Sequence, residues 1–479
     1  MASITSIGIG SGLDIESMIT QLVAVERAPV TKLRTEASSL QTKLSTYGKL
    51  QSGMSALRDA AAALTRASTW GATTGTSSDA ASVSATTSST TLPGSYAIEV
   101  QRLASVQANA TGVFASADAL VGEGTLRIEL GSWAGTSFTP KAGAAAVDIT
   151  VGPPAQSLAQ LRDTINASNS GVVASVLSDA SGARLVLRSA ATGQANGFRV
   201  AVTDADVNNS DGLGLSALAY DPSASILTMA QALAAANASA SLNGLPIGAE
   251  GNTLSNVLDG MTLTLGKVTT APVLVEAKTD TASIRKALDT FVTAYNDLNK
   301  LLAEQTKYDA ASKTAGALQG DSAAISMRAQ MRSLLGGSSG ASALFTRLAD
   351  VGFDVQTDGS IKLDETKLAN GLANLGEMKK LFANSDLVTP ANNGLAVQLR
   401  SMADQVLGID GTLSTRSEGL RKRIDLNQDR QDLLEDRIAM VEKRLRAQYT
   451  ALDKQMASLN SLSSYVTQQI AALSSRNDD

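Results

Sequence analysis

The chain has 479 residues, enough for several domains, and its formal net charge is −5. A negative net charge does not favour binding to nucleic acid or to an anionic membrane. The sequence has no run of about 18 apolar residues that would predict a membrane-spanning helix. There is no cysteine and no histidine. Disulfides, thiolate nucleophiles, zinc–thiolate sites and histidine acid–base catalysis are therefore excluded, and we expect neither an enzyme nor a bound cofactor or metal.

The distribution of residue types divides the chain into two ends and a middle. Residues 71–277 hold seven of the nine prolines but only eight of the 40 lysines and arginines. Charged segments with few prolines favour helices, whereas Thr- and Val-rich segments interrupted by Gly and Pro favour short strands. The expected fold is multidomain α+β, with long terminal coiled-coil helices as a stalk and β-rich head domains inserted between them.

The N-terminal end predicts two consecutive helices. Asp14 is a suitable N-cap for the first, and Pro29 ends or kinks it and can start the second. The first helix has the apolar residues Ile15, Ile19, Leu22 and Val25. The second has a seam of apolar residues three and four apart, namely Leu33, Ala37, Leu40, Leu44, Tyr47, Leu50, Met54, Leu57, Ala61 and Leu64.

The middle of the chain predicts short strands joined by tight turns. A helix carrying Leu158, Leu161 and Ile165 precedes a hairpin of residues 172–177 and 184–187, whose turn is at 179–182. Two further signals are the hairpin-type turn Asn243-Gly244 and the alternation of apolar residues with threonine from Met261 to Leu265.

Two more helical seams follow the middle. The first has Ile284, Leu288, Phe291, Tyr295, Leu298 and Leu302 in heptad spacing. The second, at the C-terminal end, consists of Leu434, Ile438, Val441, Leu445, Gln448, Leu452, Met456, Leu459, Leu462, Val466, Ile470 and Leu473. Such a helix extends roughly 60 Å and cannot bury its own seam. We therefore expect the terminal seams to associate with each other or with a neighbouring copy.

One segment allows a calcium-binding interpretation. Its Asp, Gly and Glu residues follow the spacing of an EF-hand loop, although Gln356 replaces the usual Asp or Asn. The residues concerned are Asp354, Asp358, Gly359, Ile361 and Glu365. The alternative is a β-hairpin, in which Phe353 and Val355 alternate into an Asp358-Gly359 turn. Since Phe353 and Val355 leave no room for an entering helix, we expect the hairpin and no metal.

The remaining polar motifs favour structural interpretations. Asp204, Asp206 and Asn208 are expected to form a solvated turn, and Gly8, Gly10 and Gly12 a flexible terminus instead of a nucleotide loop. A run of mixed charges includes Arg421, Lys422, Arg423, Asp425, Asp432, Glu435, Asp436, Glu442 and Arg446. It predicts either a solvated helix face, with Glu442 and Arg446 paired four residues apart, or charge pairing between helices.

Several segments together resemble the bacterial flagellar filament cap proteins, the hook-associated protein 2 family. The segments are the opening signature Ser6 to Asp14, which contains Gly10, Ser11, Gly12, Leu13 and Asp14; its continuation Leu22, Val23 and Glu26; Asn243-Gly244; Asn252 to Leu254; Gly260 to Leu265; Leu348 to Leu368; and Leu445 to Met456. In addition, Leu161 to Asn196 is similar to a motif shared among flagellins and hook-associated proteins.

The resemblance implies a homo-oligomeric ring, of about five or six subunits, at the distal tip of the filament. It implies flagellin and the hook–filament junction proteins as partners, and an export chaperone at the C-terminal helix. The N-terminal stretch lacks a charged secretory start, since its first basic residue is Arg27, and this alone suggests a cytoplasmic protein. The absence of cysteine fits an extracellular protein exported by an unusual route equally well. Family members leave by the flagellar type III route without a cleaved signal, which implies an extracellular protein.

Four structural parts are expected. They are a terminal coiled-coil leg of residues 1–45 and 430–479; a helical stalk domain with a small hairpin, 46–78 and 278–429; a β-rich head domain, 79–112 and 225–277; and a second head domain, 113–224, inserted in the first. Two alternatives to a cap stay open: a secreted adhesin whose coiled-coil stalk displays a binding head, and a hydrolase that uses two carboxylates.

Overall fold

The computed structural model describes residues 14–474, with side chains up to Ala471. Gly10, Ser11, Gly12 and Leu13 of the opening signature lie outside the described residues. The chain divides into two compact units. We call Met1–Arg66 with Arg285–Asp479 the helical unit, and Ala67–Ile284 the β-rich unit.

The α-helices of the described residues begin and end as follows: α1 Ile15–Glu26, α2 Ala28–Thr65, α3 Ala67–Trp70, α4 Leu158–Ala167, α5 Thr281–Thr306, α6 Ser322–Gly336, α7 Glu365–Ala373, α8 Leu375–Ala383, α9 Leu395–Leu407 and α10 Thr412–Ser474. The predicted terminal helices are confirmed. Pro29 lies in the first turn of α2, where its missing N–H removes no helical hydrogen bond.

The strands are β1 Thr73–Ser77, β2 Val83–Thr87, β3 Gly94–Arg102, β4 Ala108–Ala110, β5 Gly124–Ala134, β6 Ser137–Pro140, β7 Val147–Val151, β8 Val172–Asp179, β9 Gly182–Ser189, β10 Gly197–Asp204, β11 Tyr220–Asp221, β12 Ile226–Leu227, β13 Ala230–Leu233, β14 Ala238–Leu242, β15 Leu245–Ala249, β16 Thr253–Leu258, β17 Met261–Leu265, β18 Val273–Thr279, β19 Tyr308–Asp309, β20 Thr314–Ala315, β21 Phe353–Val355 and β22 Ile361–Leu363. All the strand pairs among them are antiparallel. The fold is therefore α+β with terminal helices, as expected.

The β-rich unit contains two apolar cores. The first joins the sheet β1-β18-β3-β14-β15 to the sheet β16-β17-β2, and Val100 and Val275 are fully buried in it. The second joins the sheet β12-β11-β10-β5-β6, with β7 on β5, to the sheet β13-β4-β9-β8 and to α4. Leu185 and Phe198 are fully buried there. The finer division of the chain into four parts stays a prediction.

The predicted hairpins of the middle are confirmed. In the β8–β9 hairpin Asp179 pairs with Gly182 across a two-residue turn. In the β14–β15 hairpin Leu242 pairs with Leu245, and both turn residues between them have positive φ, 50° at Asn243 and 83° at Gly244. Asn and Gly are the residues that adopt this left-handed backbone at least cost, which is why the pair marks such a turn.

The segment with EF-hand spacing is a hairpin, because β21 pairs with β22. Its carboxylates have structural partners. Asp358 accepts hydrogen bonds from Ser360 in its own turn, Asp354 pairs with Lys367 at 2.9 Å, and Glu365 pairs with Arg285 at 2.6 Å. Within residues 14–474 no group of three or more Asp or Glu side chains is placed to hold a metal ion.

The acidic cluster in the second head segment differs from its prediction. Asp204 is buried instead of solvated, and its Oδ2 accepts a hydrogen bond of 2.8 Å from the backbone N–H of Ser216. The sequence-based expectation of a solvated turn is thus wrong for Asp204, because its carboxylate fixes a 3₁₀ turn twelve residues later in the chain.

Amide side chains hold several segments together by the same two-bond contact. In each case the amide oxygen accepts from a backbone N–H, and the amide nitrogen donates to the C=O of that same residue. The pairs are Asn166 with Ala174, Asn252 with Ala104, Asn296 with Ile361, and Gln107 with Phe198, with distances from 2.7 to 3.1 Å. In each case the side-chain amide satisfies a backbone N–H and a backbone C=O in place of another peptide group.

Replacing Asn296 of α5 by alanine is expected to lower the free energy of unfolding by about 1–3 kcal/mol. The reason is that the N–H and C=O of Ile361 lose bonds of 2.7 and 2.9 Å at a partly buried position. Urea unfolding followed by circular dichroism measures this change. The same replacement at exposed Asn370 of α7 is the control. Equal stabilities of the two variants would show that the two bonds between Asn296 and Ile361, which we call the clamp, do not stabilise the fold.

Candidate assembly interface

The candidate interface is built on α10, whose N-terminal part packs against α2. The heptad spacing places Leu413, Leu420 and Ile438 on one face of α10, and all three are buried. On α2 the predicted seam residues Leu40, Tyr47, Met54 and Leu57 are buried, while Leu33 and Leu44 are partly buried. The sequence pattern predicts that the seam of α10 starts at Leu434. In the structure it begins about three heptads earlier, at Leu413.

Two polar residues interrupt the buried seam of α10. Asn427 and Gln431 are buried, and the side-chain Nε2 of Gln431 donates to Oδ1 of Asn427 at 2.7 Å. A buried polar pair on a coiled-coil seam favours one register over others at a cost in stability. The sequence analysis did not identify this pair. The heptad pattern could have located it, because Asn427 and Gln431 lie seven residues before Leu434 and Ile438.

Tyr47 anchors α2 to the neighbouring helix α6. Its hydroxyl donates a hydrogen bond of 2.7 Å to Asp321, whose carboxylate also caps the N-terminus of α6. Burial of the ring, followed by the hydrogen bond to the carboxylate, raises the pKa of Tyr47 well above its usual range. The ring of Tyr47 is therefore part of the packed core of the helical unit and not a free surface.

Ion pairs join α10 to α2. Arg34 of α2 lies 2.5 Å from Glu435, and Arg423 lies 3.6 Å from Glu36. These side chains are largely exposed, so each pair stabilises the fold little, but together they favour one alignment of the helices. Glu442 and Arg446 also pair four residues apart, at 3.0 Å, so both expectations for the run of charges are confirmed.

Arg446 holds α1 against α10. Its guanidinium donates two hydrogen bonds, of 2.6 and 2.8 Å, to the two carboxylate oxygens of Glu16. The hydrogen bonds from Arg446 lower the pKa of Glu16. The contribution of this pair is therefore complete above the ordinary pKa of a glutamate and is lost as the pH falls through the lowered value. Asp14, the last residue of the opening signature, caps α1 by accepting from the N–H of Ser17 at 2.9 Å.

An apolar cluster fixes α1 and the start of α2 on α10. It consists of Ile15, Ile19, Val23, Val30 and Ile438, with Leu434, Leu445 and Tyr449 partly buried beside them. Of the apolar residues that the sequence places on α1, Leu22 and Val25 are exposed. The buried face instead follows a spacing of four residues from Ile15 through Ile19 to Val23, because that side of α1 faces α10.

Beyond Tyr449 the apolar seam of α10 is left largely exposed by the part of the chain that the structure describes, residues 14–474. Met456 is partly buried, and the larger predicted seam residues are exposed by 44% for Leu452, 59% for Leu459, 58% for Leu462, 47% for Val466 and 61% for Ile470. This segment extends about 30 Å at 1.5 Å per residue. A regular apolar row of this length on a helix is typical of a surface that binds another helix. We call residues Leu452–Ile470 the uncovered seam.

No helix of the described residues combines the length and the apolar character required to cross a lipid bilayer. The other faces of this segment of α10 carry polar and charged residues, such as Lys454 and Gln468.

Comparison with known proteins gives consistent matches along the chain. The family models described as the N-terminus and the C-terminus of flagellar hook-associated protein 2 match residues 11–107 and 235–461. Flagellar hook-associated protein 2 of Escherichia coli K12 is 33% identical, over 98% of each chain. The Salmonella typhimurium protein of that name is 30% identical, over 99% of each chain.

A solved structure shows the same similarity. The crystal structure of the D1-D2-D3 domains of the flagellar cap protein FliD from Escherichia coli has a TM-score of 0.63 and 29% sequence identity. The match covers 78% of this chain and 99% of that chain.

Proposed function

The chain belongs to the flagellar hook-associated protein 2 family, and we propose that it is a subunit of the cap at the distal end of the flagellar filament. There it retains exported flagellin and promotes its polymerisation while the filament elongates. The uncovered seam of α10 carries this proposal, because it is a long apolar row of helical spacing that no described residue of the helical unit covers.

The cap acts by assembly and not by covalent chemistry. Several copies, about five or six, form a closed ring in which each uncovered seam finds helices of neighbouring copies or of the filament end. The residues expected to make these contacts are the exposed ones, Leu452, Leu459, Val466 and Ile470, together with Met456. The buried seam residues support them by holding α10 in place.

The four-part organisation accounts for a cap with legs and a head. Residues 1–45 and 430–479 form the leg, 46–78 with 278–429 the stalk domain, and 79–112 with 225–277 and 113–224 the two head domains. Two observations support this division: the separate apolar cores within residues 83–277, and the clamp that fixes the β21–β22 hairpin on α5. The heads form the plate that retains flagellin.

The subunit reaches the filament tip through the flagellar type III export channel. Passage as an unfolded chain suits a protein without cysteine, because no disulfide can form before or during export. Before export, the apolar residues of the C-terminal helix need cover, and an export chaperone bound there supplies it. The hook–filament junction proteins provide the first surface on which the cap assembles.

A strain that lacks this protein is expected to carry hooks without filaments and to release unpolymerised flagellin into the medium. The reason is that flagellin subunits that leave the channel without a cap diffuse away before they assemble. Electron microscopy of the cells and quantification of flagellin in the supernatant measure both effects, and expression of the intact chain is the control. Filaments of normal length in the deleted strain would contradict the proposal.

A further inference from the structure

The side of α10 that faces away from α2 carries a second apolar row. Leu426, Leu433 and Met440 follow each other at intervals of seven residues, and their exposed fractions are 57%, 70% and 67%. They lie within the part of α10 whose opposite side is already packed through Asn427, Gln431 and Ile438. We call the three exposed residues the outer stripe.

Charged residues line the two sides of the outer stripe, and the central charges of the two sides are of opposite sign. On a helix of 3.6 residues per turn, positions three before and four after a residue lie on one side of it, and positions four before and three after lie on the other. The first side has Arg423, Arg430, Arg437 and Arg444, and the second has Asp429 and Asp436 at its centre, with Lys422 and Lys443 at its ends. All of these side chains are exposed.

The central charges of both sides lack a partner in the fold. Arg423 pairs with Glu36 of α2. Among residues 14–474, however, Arg430 and Arg437 form no ion pair with any carboxylate, and neither do Asp429 and Asp436 with any cation. Three exposed apolar residues bordered by unpaired charges are the pattern that selects a partner helix.

The arrangement of charges fits a second copy of the same helix in one direction only. When two such helices lie parallel with their outer stripes together, the arginine side of one faces the aspartate side of the other. When they lie antiparallel, arginine faces arginine and aspartate faces aspartate, which is unfavourable. A parallel arrangement is also what a ring requires, because cyclic symmetry keeps equivalent helices pointing the same way along the axis.

We infer that the outer stripe, Leu426, Leu433 and Met440, is a contact between neighbouring copies of this chain, whose α10 helices pack parallel to each other. The inference rests on the proposed function only in requiring several copies in one assembly. It adds a self-association surface that is separate from the uncovered seam, so that one α10 helix binds α2 on one side and a neighbouring copy on the other.

Charge reversal tests the contact in the purified full-length protein. The variant Arg430→Glu/Arg437→Glu and the variant Asp429→Arg/Asp436→Arg each place like charges together, and we expect each to weaken self-association by at least about tenfold. Combining all four substitutions restores opposite charges in the parallel arrangement, so self-association should return towards that of the intact chain. Sedimentation velocity over a range of protein concentrations at low ionic strength measures the three variants.

Two further variants separate this effect from general changes of charge or folding. Lys32→Glu/Lys49→Glu makes the same change of charge on the exposed side of α2 and should leave association unchanged. Leu426→Ala/Leu433→Ala/Met440→Ala should keep the helical circular dichroism but associate as weakly as the charge variants. The inference is overturned if the intact chain does not self-associate, if the charge variants associate normally, or if the combined variant fails to recover.

The absence of cysteine allows the direction of packing to be read from cross-links. A Leu433→Cys variant should form disulfide-linked dimers on mild oxidation in either direction of packing, because 433 is the central position of the stripe. An equimolar mixture of Leu426→Cys and Met440→Cys distinguishes the directions, since only antiparallel helices bring these two positions together. Mixed dimers in excess of the like pairs would overturn the parallel arrangement. These assays need no flagellin, so their outcome is independent of the test of cap function.

Discussion

A chain that ends at Ala451 is expected to fold as the intact protein does and to support no filament elongation. The truncation removes the uncovered seam but keeps Ile438, Leu445 and Tyr449, which pack against α1. Since the large apolar residues from Leu452 to Ile470 are exposed, their removal costs little free energy of unfolding. The loss is expected at the step that needs them, the contact of the cap with its neighbours and the filament end.

Expression of this truncated chain in a strain without the intact protein, followed by electron microscopy, measures filament length. Circular dichroism and thermal unfolding of the purified chain check that the packed helices are retained. A matched full-length variant, Leu459→Asn/Val466→Asn/Ile470→Asn, keeps the length of α10 but removes the apolar row, and it should fail in the same way. Normal filaments from either chain would show that the uncovered seam is not needed for assembly.

Replacing Ile438 by aspartate is expected to detach α1 from α10. Ile438 lies in the apolar cluster with Ile15, Ile19 and Val23, and it is only 4% exposed. An unpaired carboxylate at this position should lower the free energy of unfolding of the helical unit by about 3–5 kcal/mol, because it is desolvated without a partner and the packing of isoleucine is lost. Filament elongation should then fall sharply.

Hydrogen exchange of the α1 amides measures this detachment directly, and the Ile438→Asp variant should lose their protection. The control is Gln428→Asp, which adds the same charge to an exposed position of α10 and should leave α1 protected. If Ile438→Asp kept both the protection of α1 and full filament length, the apolar cluster would not be what secures the N-terminal helix.

The spacing of apolar residues was sufficient to predict the terminal helices, but not which side of α1 is buried. Ile15, Ile19 and Leu22 fit a helical spacing as well as Ile15, Ile19 and Val23 do. The choice between them is made by α10, more than 400 residues later in the sequence, and so no local pattern contains it. For the long seam of α2 this ambiguity does not arise, because ten apolar residues define one face.

Polar residues were the least predictable part of the fold. Asn296, Asn252 and Asn166 look like ordinary loop or helix residues in the sequence, yet each binds both backbone groups of a residue in another segment of the chain. Likewise the carboxylate of Asp204 is buried because it binds a distant N–H. Hydrogen-bond partners far apart in the chain leave no periodic signal, whereas an apolar seam repeats and can be recognised.

The continuity of α10 has a mechanical consequence. The helix runs for 63 residues without interruption, a rod of about 95 Å. A force applied at its far end would therefore act as a torque on the segment held by α1 and α2. The ion pairs there, Arg446 with Glu16 and Arg34 with Glu435, are exposed and individually weak, so they can open and close again under load. The apolar cluster of Ile438 with α1 and the buried seam on α2 would keep α10 in place while these pairs open.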